Sequence, residues 1–471
     1  MQQWRMEIWQ HSATELAAQI KAKNLSSREV IDAHLARIAA VNPHLNAVVR
    51  VLADEARAAA DRADRQTLAG GELPALHGVP ITVKENLDVA GTPTTSGLVA
   101  LKDAVAAVDC PIVERMRAAG AIPIGRTNLP DLGLRIHTHS SLHGLTRNPW
   151  HAGRTAGGSS GGEGSAISSG MSPLGLGNDI GGSLRNPAHC CGIASLKPTT
   201  NLLPMATVIP PESPGLSSQL MLVDGPMARR VADLRLALSI MAGPHPRDPF
   251  VVPAPLDYPD TFAKVRVAVI AEPAGGATDA GIAGVIRNAA TILTNAGFDV
   301  TEIAPPMYLE SLLAWNELLT GDLTPMRPLL EMVMGDDAKT FIANTDSLTP
   351  VATPETLAAL HSSRHAIAQA WSMFMADYPI IISPVWSQPA FAHGWDIETP
   401  ANTLATIELL RPVMPANLIG LPAAVVPGGL ADNMPVGVQV MARRFRDDQA
   451  LAVAEVLETA LGTITPIDPR L

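Results

Sequence analysis

The chain has 471 residues, of which 47% are apolar and 17% are charged, and its formal net charge is −11. This composition is typical of a well-buried globular protein and excludes wholesale disorder. Because the chain is acidic and has no basic run, we expect no nucleic-acid partner, since phosphate binding needs clustered Lys and Arg.

The N-terminal segment and the cysteines bear on the compartment. Met1 to Ile20 has no apolar segment like that of a signal peptide, and no run long enough to span a membrane occurs. The cysteines are odd in number, and the adjacent Cys190 and Cys191 are poorly placed to pair with each other. We therefore predict reduced, partly buried thiols in a cytoplasmic protein without membrane contact.

The first third of the chain reads as helices that lead into a sheet. Ser26 and Glu29 have the spacing of a capping box at the start of a helix, which Asn42-Pro43 is expected to end. The Ala-rich range Ala53 to Arg65 predicts a second helix. Both helices precede the first apolar run that resembles a strand.

That strand is predicted from Val79 to Val83, with Lys84 at its C-terminal end, where catalytic groups collect in α/β folds. The following range, Thr155 to Gly192, is dense in Gly and Ser but is interrupted by apolar segments. Such a pattern indicates a packed core in which backbones approach closely, and not a flexible linker.

The C-terminal half continues the alternation of strands and helices. Ile282 to Leu293 predicts a helix with one apolar face, followed by Gly297 as the residue that ends it. The remaining predicted elements are strands at Val265 to Ile270, Phe298 to Ile303, Ile380 to Ile382 and Val436 to Met441, and a final helix at Leu451 to Leu461. With no internal repeat and no domain linker, the chain predicts one large α/β domain over residues 1–471.

Two serines in glycine-rich surroundings are the candidates for chemistry. Ser159 lies in a Gly-Gly-Ser-Ser-Gly-Gly run, and Ser183 follows it by 24 residues. A serine hydroxyl needs a nearby base to become a nucleophile. A lysine can be that base when burial lowers its pKa, and Lys84 is the candidate.

The residues around the second serine suggest how charge would be stabilised. The backbone N–H groups of Ile180, Gly181 and Gly182 are suited to bind a developing oxyanion. Asp179 and Arg185 flank this turn, where they either support its geometry or form an ordinary ion pair, and these two interpretations overlap.

These motifs resemble the amidase signature family of Ser–Ser–Lys hydrolases. The resemblance rests on Gly157 to Thr199 and on the Val-Lys-Glu-Asn element at Val83 to Asn86, and it continues at Gly120 to Asn128, Arg147 to Trp150 and Asn417 to Gln439. It implies a large central mixed sheet covered by helices on both faces. It also divides the chain into a catalytic core at about 75–200, a divergent substrate-pocket region at about 200–415, and a C-terminal strand and helix at 416–471.

Carried over to this sequence, the resemblance implies that Ser183 attacks the acyl carbon. Ser159, joined to Gly158 by a cis peptide bond, would relay the proton, and Lys84 would accept and return it. The oxyanion hole would be the backbone of residues 180–183. Glu85 stands where Asp is commoner in the family, which could alter the support of the lysine.

Ser160 is an alternative nucleophile, because its surroundings match the elbow pattern G-x-S-x-G, which also fits Ser159 when shifted by one residue. The elbow needs a strand before the serine, but Arg154 to Ala156 is no apolar strand, and no HGGG-type motif occurs. We therefore favour Ser183 and expect Ser160 to donate hydrogen bonds within the glycine-rich segment.

Other candidate sites have simpler interpretations. His137, His139 and His143 lack a carboxylate or cysteine at ligand spacing, so a loop near the active-site mouth is favoured over a metal site. Cys190 and Cys191 are expected to be buried packing residues. No complete phosphate-binding glycine motif is present, and we predict neither a metal nor a cofactor.

The Met and Trp residues of the divergent region are candidates for a pocket wall. Most are expected to be core and about a third to contact substrate. They are Met307, Trp315, Met332, Met334, Trp371, Met373, Met375, Trp386 and Trp395.

The favoured function is hydrolysis of a small aryl or alkyl amide or anilide, or of a carbamate (urethane), by a monomer or homodimer. The alternatives are an amidotransferase subunit of a tRNA-dependent complex and a catalytically silent scaffold. The acidic charge and the Gly-Gly-Glu-Gly run disfavour the first, and the intact Lys84, Ser159 and Ser183 disfavour the second.

Overall fold

The computed structural model describes residues 7–346 and 353–470. Residues 1–6, which belong to the segment considered as a signal peptide, therefore lie outside the described residues, as do 347–352 and 471 of the predicted domain. No helix in the described ranges is both long and apolar enough to cross a membrane.

Short strands alternate with helices along the chain. Within the described residues the strands are β1 (Val48–Val51), β2 (Pro80–Lys84), β3 (Ile122–Thr127), β4 (His139–Ser140), β5 (Gly144–Leu145), β6 (Arg147–Asn148), β7 (His151–Thr155), β8 (Leu174–Asp179), β9 (Ala194–Lys197), β10 (Val223–Ala228), β11 (Arg266–Val269), β12 (Asp299–Glu302), β13 (Ile380–Pro384), β14 (Ala423–Ala431) and β15 (Met434–Ala442). The α-helices there are α1 (Ala13–Lys21), α2 (Ser27–Leu45), α3 (Ala53–Ala69), α4 (Pro111–Ala118), α5 (Gly161–Ser168), α6 (Arg185–Cys191), α7 (Leu216–Met221), α8 (Val231–Met241), α9 (Ala280–Asn295), α10 (Tyr308–Leu323), α11 (Arg327–Val333), α12 (Asp336–Asp346), α13 (Pro354–Asp377), α14 (Pro400–Leu409), α15 (Met414–Leu418) and α16 (Asp447–Leu461).

Eleven of the strands in the described ranges form one mixed sheet, in the order β1-β3-β2-β8-β10-β9-β14-β15-β13-β11-β12. Strand β2 is parallel to β3 and β8, whereas β10 is antiparallel to both β8 and β9. The pairs β4–β5 and β6–β7 make two small separate sheets. The predicted α/β fold with a central mixed sheet is confirmed.

Two apolar cores lie on opposite faces of the sheet. Side chains alternate along a strand, and on β14 Ala424 and Val426 join one core while Ala423 and Val425 join the other. Helices α8, α9 and α16 pack against the first core, and α6, α10 and α13 pack against the second. Helices therefore cover both faces, as predicted.

The predicted elements are present, with shifted ends. The capping box of Ser26 and Glu29 begins α2, but the prediction that Asn42-Pro43 ends this helix is wrong. The helix continues to Leu45 because the N–H of Asn46 closes its last turn by donating to the Asn42 carbonyl. Asn46 itself has a left-handed backbone conformation, which ends the helix.

The C-terminal elements also follow their predictions. Helix α9 is followed by Gly297 at a φ of +92°, as expected for a glycine that ends a helix. The final helix begins at Asp447, four residues before the predicted Leu451.

Candidate active site

A cavity of about 290 Å³ lies at the C-terminal ends of β2 and β8. Ser159 and Ser183 both line it, together with Asn86 and Asn178. The glycine-rich segment between β7 and α5 meets the turn after β8 here, and a backbone hydrogen bond joins the two. The structure thus brings the two predicted serines to one cavity.

Lys84 is the last residue of β2, as predicted, and its side chain is wholly buried. Its Nζ donates to Ser159 Oγ at 2.8 Å and to Asn178 Oδ1 at 2.7 Å. The lysine therefore contacts the serine that the resemblance assigns as the relay.

Burial lowers the pKa of Lys84 to about 7, although the negative charges of Asp179, Asp224 and Glu163 act in the opposite direction. Removing an ammonium group from water disfavours its charged form. A substantial share of the lysine is consequently neutral near pH 7 and able to accept a proton.

The two serines are held by the backbone. The Gly158–Ser159 peptide bond is cis, as the resemblance predicted. The N–H of Ser160 donates to the Ser183 carbonyl at 3.2 Å, which joins the two segments. No hydrogen bond links the Ser159 and Ser183 hydroxyls, both of which are described, and such contacts often tighten only when substrate binds.

The glycine-rich segment is packed too closely for side chains, as its composition predicted. A Cβ added to Gly158 would lie 2.6 Å from the Ile136 carbonyl carbon, and one added to Gly162 would lie 2.5 Å from the Asn128 nitrogen. These approaches fix the path of the segment that carries Ser159.

A buried ion pair supports the turn that carries Ser183. Arg185 contacts the Asp179 carboxylate at 2.9 Å, and both side chains are fully buried. Burial alone would raise the pKa of Asp179, but the Arg185 guanidinium holds it well below its usual range. Asn417 and Gln439, both from the C-terminal part of the chain, accept further hydrogen bonds from Arg185.

The N–H groups of the turn are not equivalent. Gly182 donates to Asp179 Oδ1 at 2.7 Å, so the N–H that was predicted to bind an oxyanion is already used. No acceptor lies within hydrogen-bond geometry of the Ile180, Gly181 or Ser183 N–H among the described residues. The Gly182 N–H points at the Asp179 carboxylate because the turn folds around this carboxylate.

The prediction that the Ser160 side chain donates hydrogen bonds is wrong. Its Oγ is buried and has no partner among the described residues. It sits against Gly177, where an added Cβ would lie 2.8 Å from this oxygen, so it acts as a small filler.

A short strand does precede Ser160, contrary to the expectation from the sequence. This strand, β7, pairs only with β6 in a small sheet outside the central one. A nucleophile elbow carries its serine at the end of a strand of the main sheet, so Ser160 does not occupy that position.

The three histidines have different partners, and none of them lines the cavity. His143 contacts the Glu85 carboxylate at 2.5 Å, His139 contacts Asp337, and His137 contacts Thr155. Within residues 7–346 and 353–470, no cluster of three or more His, Cys, Asp or Glu side chains could hold a metal ion.

The cysteines are free and buried, as expected for packing residues. Burial raises the pKa of the Cys190 and Cys191 thiols, so neither is a reactive thiolate.

The cavity wall is mostly aliphatic, which corrects the proposed Met and Trp lining. Of the nine residues named, only Trp315 lines this cavity, whereas Trp371, Trp386 and Met375 are core and Met332 and Met373 are exposed. The apolar wall consists instead of Leu132, Leu134, Ile136, Ile180, Leu222, Leu319, Leu323, Phe341, Ile342, Ile407 and Leu410. An Arg327–Asp346 ion pair lies among the polar lining residues.

Three residues make contacts in the site that were not predicted from the sequence, although Trp315 had been named as a candidate for the pocket wall. Asn178 accepts a hydrogen bond from Lys84. Glu163 accepts hydrogen bonds from Thr82 and Thr127. Trp315 packs on the turn that carries Ser183. Asn178 directly precedes Asp179 at the end of an apolar run, which was an available signal.

Known proteins resemble this chain along nearly its whole length. A sequence model of the Amidase family matches residues 29–451. An indoleacetamide hydrolase from Bradyrhizobium diazoefficiens is 39% identical, over 97% of this chain and 88% of that protein. An acylamidase from Rhodococcus erythropolis is 33% identical, over 95% of this chain and 94% of that protein.

Solved structures agree with the sequence comparisons. The structure of 6-aminohexanoate cyclic dimer hydrolase superposes with a TM-score of 0.85 at 28% identity, over 99% of both chains. A glutamyl-tRNA(Gln) amidotransferase chain from Acidothermus cellulolyticus is more distant than the two hydrolases, at 32% identity over 96% of this chain and 95% of that protein. This chain therefore belongs to the Amidase family and is a hydrolase of carbon–nitrogen amide bonds.

Proposed function

We propose that the chain hydrolyses small amides of arylacetic and other apolar acids, including anilides, through an acyl-enzyme on Ser183. The hydrogen bond from Lys84 to Ser159, at 2.8 Å beside a cavity that Ser183 also lines, is the observation that carries this proposal. It couples a buried base to a hydroxyl next to the nucleophile.

The proposed reaction has two halves. Ser183 Oγ attacks the carbonyl carbon while its proton passes through the Ser159 hydroxyl to the neutral amine of Lys84. The carbon–nitrogen bond then breaks, and Lys84 returns the proton through Ser159 to the leaving nitrogen. Water attacks the resulting ester along the same path, which releases the carboxylic acid and restores Ser183. No cofactor takes part in these steps.

The oxyanion is proposed to bind the N–H groups of Ile180, Gly181 and Ser183, since Gly182 donates to Asp179. Preorganised backbone donors of this kind stabilise the tetrahedral intermediate without reorganisation during the reaction.

The cavity supports an apolar acyl group of modest size. Its volume of about 290 Å³ is at the lower end of ligand pockets, which range from about 300 to 1,000 Å³. Its aliphatic wall suits an aromatic ring, and the indoleacetamide hydrolase and acylamidase names of the relatives fit this choice. A carbamate presents the same carbonyl, so we include aryl carbamates among the proposed substrates.

A panel of purified substrates tests the proposal. Indole-3-acetamide, a nitroanilide, an aryl carbamate and L-glutamine are each incubated with the wild type and with Ser183→Ala. We expect turnover of the indoleacetamide and the anilide by the wild type alone. Turnover by Ser183→Ala equal to that of the wild type would contradict the acyl-enzyme, and activity on glutamine alone would favour the amidotransferase alternative.

A further inference from the structure

We propose that Trp315 is a positioning residue for the oxyanion: its indole N–H fixes the Ile180–Gly181 peptide so that the Gly181 N–H faces the reacting carbonyl oxygen. This inference rests on the proposed function, because it takes Ser183 as the nucleophile. Trp315 belongs to α10 in the divergent region, and the sequence pointed to it only as a candidate for the pocket wall, with no role at the turn.

The neighbouring peptide of the turn shows what fixes each orientation. Between Gly181 and Gly182, the carbonyl accepts from Asn186 Nδ2 at 3.1 Å and the N–H donates to Asp179 at 2.7 Å. Both ends of that peptide are therefore bound to protein groups. Its N–H is directed at the carboxylate and is not available to a ligand.

The Ile180–Gly181 peptide is bound at one end only. Its carbonyl accepts from Trp315 Nε1 at 2.8 Å, while no described residue accepts from its N–H. In a trans peptide the C=O and N–H point in opposite directions within one rigid plane. Holding the carbonyl therefore holds the N–H, and a hydrogen bond at the carbonyl also polarises the N–H as a donor.

The indole ring blocks rotation of the same peptide. A Cβ added to Gly181 would lie 2.5 Å from Trp315 Cζ2, so the ring lies against the glycine backbone. Trp315 is only 6% exposed, and it also lines the cavity. One residue therefore contacts both the proposed substrate space and the peptide that presents an oxyanion donor.

Two substitutions separate the N–H of Trp315 from its bulk. Trp315→Phe keeps an aromatic ring but removes the donor. Trp315→His keeps a ring N–H, because imidazole Nε2 occupies the place of indole Nε1, but removes the six-membered ring. Trp371→Phe is the matched control, since Trp371 is fully buried in the same core and its Nε1 has no partner among the described residues.

The readout is the second-order rate constant for labelling of Ser183 by an alkyl fluorophosphonate, in which the Ser183 oxygen–phosphorus bond forms and fluoride leaves. The phosphoryl oxygen needs the same donors as the oxyanion, whichever amide is the substrate. The binding constant for indole-3-acetate, measured by calorimetry, reports ligand contacts with the cavity wall separately from the reaction at Ser183. Thermal unfolding midpoints show that each variant is folded.

For Trp315→Phe we expect labelling about 10-fold slower, less than the ~100- to 1,000-fold of a fully deleted oxyanion donor, with indole-3-acetate binding unchanged. For Trp315→His we expect faster labelling than for the Phe variant but weaker indole-3-acetate binding. Trp371→Phe should match the wild type in both measurements.

Three results for the Trp315 variants would overturn the inference: a wild-type labelling rate for Trp315→Phe, a labelling rate for Trp315→His no higher than for Trp315→Phe, or a parallel loss of labelling and binding in the Phe variant. If fluorophosphonate does not label the wild type at Ser183 at all, the proposed function fails instead. Slower labelling of Trp371→Phe would also overturn the inference, because the effect would then belong to general core packing.

Discussion

The segment from residue 155 to 192 and the helices from residue 308 to 346 both line the cavity, but they differ in burial. In the first segment every residue except Ile180 is buried, including its charged side chains. In the second region Leu313 is 63% exposed and Met332 is 81% exposed. The proposed catalytic serines thus lie in an almost wholly buried segment, whereas the helices that contribute to the cavity wall also carry exposed side chains.

The difference has an energetic reason. In the segment from residue 155 to 192, glycines and buried polar groups are packed and hydrogen-bonded to one another. A substitution that removes one hydrogen-bonding partner leaves the other group buried, where water does not replace the lost hydrogen bond. An aliphatic wall depends mainly on volume, and a change in volume costs less and affects ligands selectively. Substitutions in the two regions should therefore have effects that differ in kind as well as in magnitude.

Ser183→Ala should give the largest loss. Removing the hydroxyl removes the proposed nucleophile, so turnover of a chromogenic anilide should fall by at least about 1,000-fold. Initial rates at saturating anilide measure the change. Ser168→Ala is the control, because Ser168 lies on α5 in the same buried segment and its Oγ has no partner among the described residues. An equal loss in both variants would assign the effect to packing of the segment.

Lys84 should set the pH dependence. Burial lowers its pKa to about 7, and the neutral amine is the proposed base. We therefore expect kcat/KM to rise about tenfold per pH unit below pH 7 and to level off above it. Lys84→Ala should lose about 100- to 10,000-fold and lack this limb.

Glu163→Gln sharpens this test. The Glu163 charge raises the pKa of Lys84 against the effect of burial, but burial also raises the pKa of Glu163 to about 7, so this carboxyl is only partly charged along the limb. Its removal should therefore move the rising limb only slightly to lower pH. The exposed Lys102→Ala should leave the profile unchanged. If kcat/KM of the Lys84→Ala variant still rises with pH below pH 7 as in the wild type, the titrating group is not Lys84.

The Asp179–Arg185 pair should show its effect in the free energy of unfolding. Arg185→Met leaves a buried carboxylate without its ion-pair partner, and breaking such a pair costs about 3–5 kcal/mol. Urea unfolding of the two proteins measures the difference. The control is Arg287→Met, which removes exposed pairs to Glu272 and Glu302 and should cause no measurable change. A stable Arg185→Met protein with wild-type activity would show that the pair is dispensable.

The two regions also differ in how well the sequence predicted them. The strand before Lys84 and the glycine packing were predictable, because local sequence pattern and backbone sterics determine them. The convergence of Ser159 and Ser183 was implied by the family resemblance. The division of the chain at about 75–200, 200–415 and 416–471 stays a prediction.

Contacts between distant segments were not predictable from a single sequence. Trp315 reaches Ile180 across 135 positions, and Asn417 reaches Arg185 across 232, with no local pattern to mark either contact. The aliphatic wall escaped detection for the same reason, since leucines of a wall and leucines of a core have the same spacing along a helix.

The wall itself should give the smallest effect. Leu319 lies on α10 and lines the cavity, and Leu319→Ala removes apolar contact without touching the buried network. Because loss of apolar contact in a pocket weakens ground state and transition state alike, we expect KM for an aryl amide to rise about tenfold while kcat stays nearly constant. Steady-state kinetics on indole-3-acetamide and on acetamide measure this change.

The acetamide comparison decides where Leu319 acts. Acetamide lacks the ring that would contact the wall, so its kcat/KM should be unaffected by Leu319→Ala. Met332→Ala, at an exposed position of the neighbouring helix α11, should leave kcat and KM unchanged for both substrates. If Leu319→Ala lowers kcat for both amides equally, the wall is coupled to the catalytic turn. The separation of chemistry and specificity between the two regions would then be wrong, and Trp315 would be one of several residues that join them.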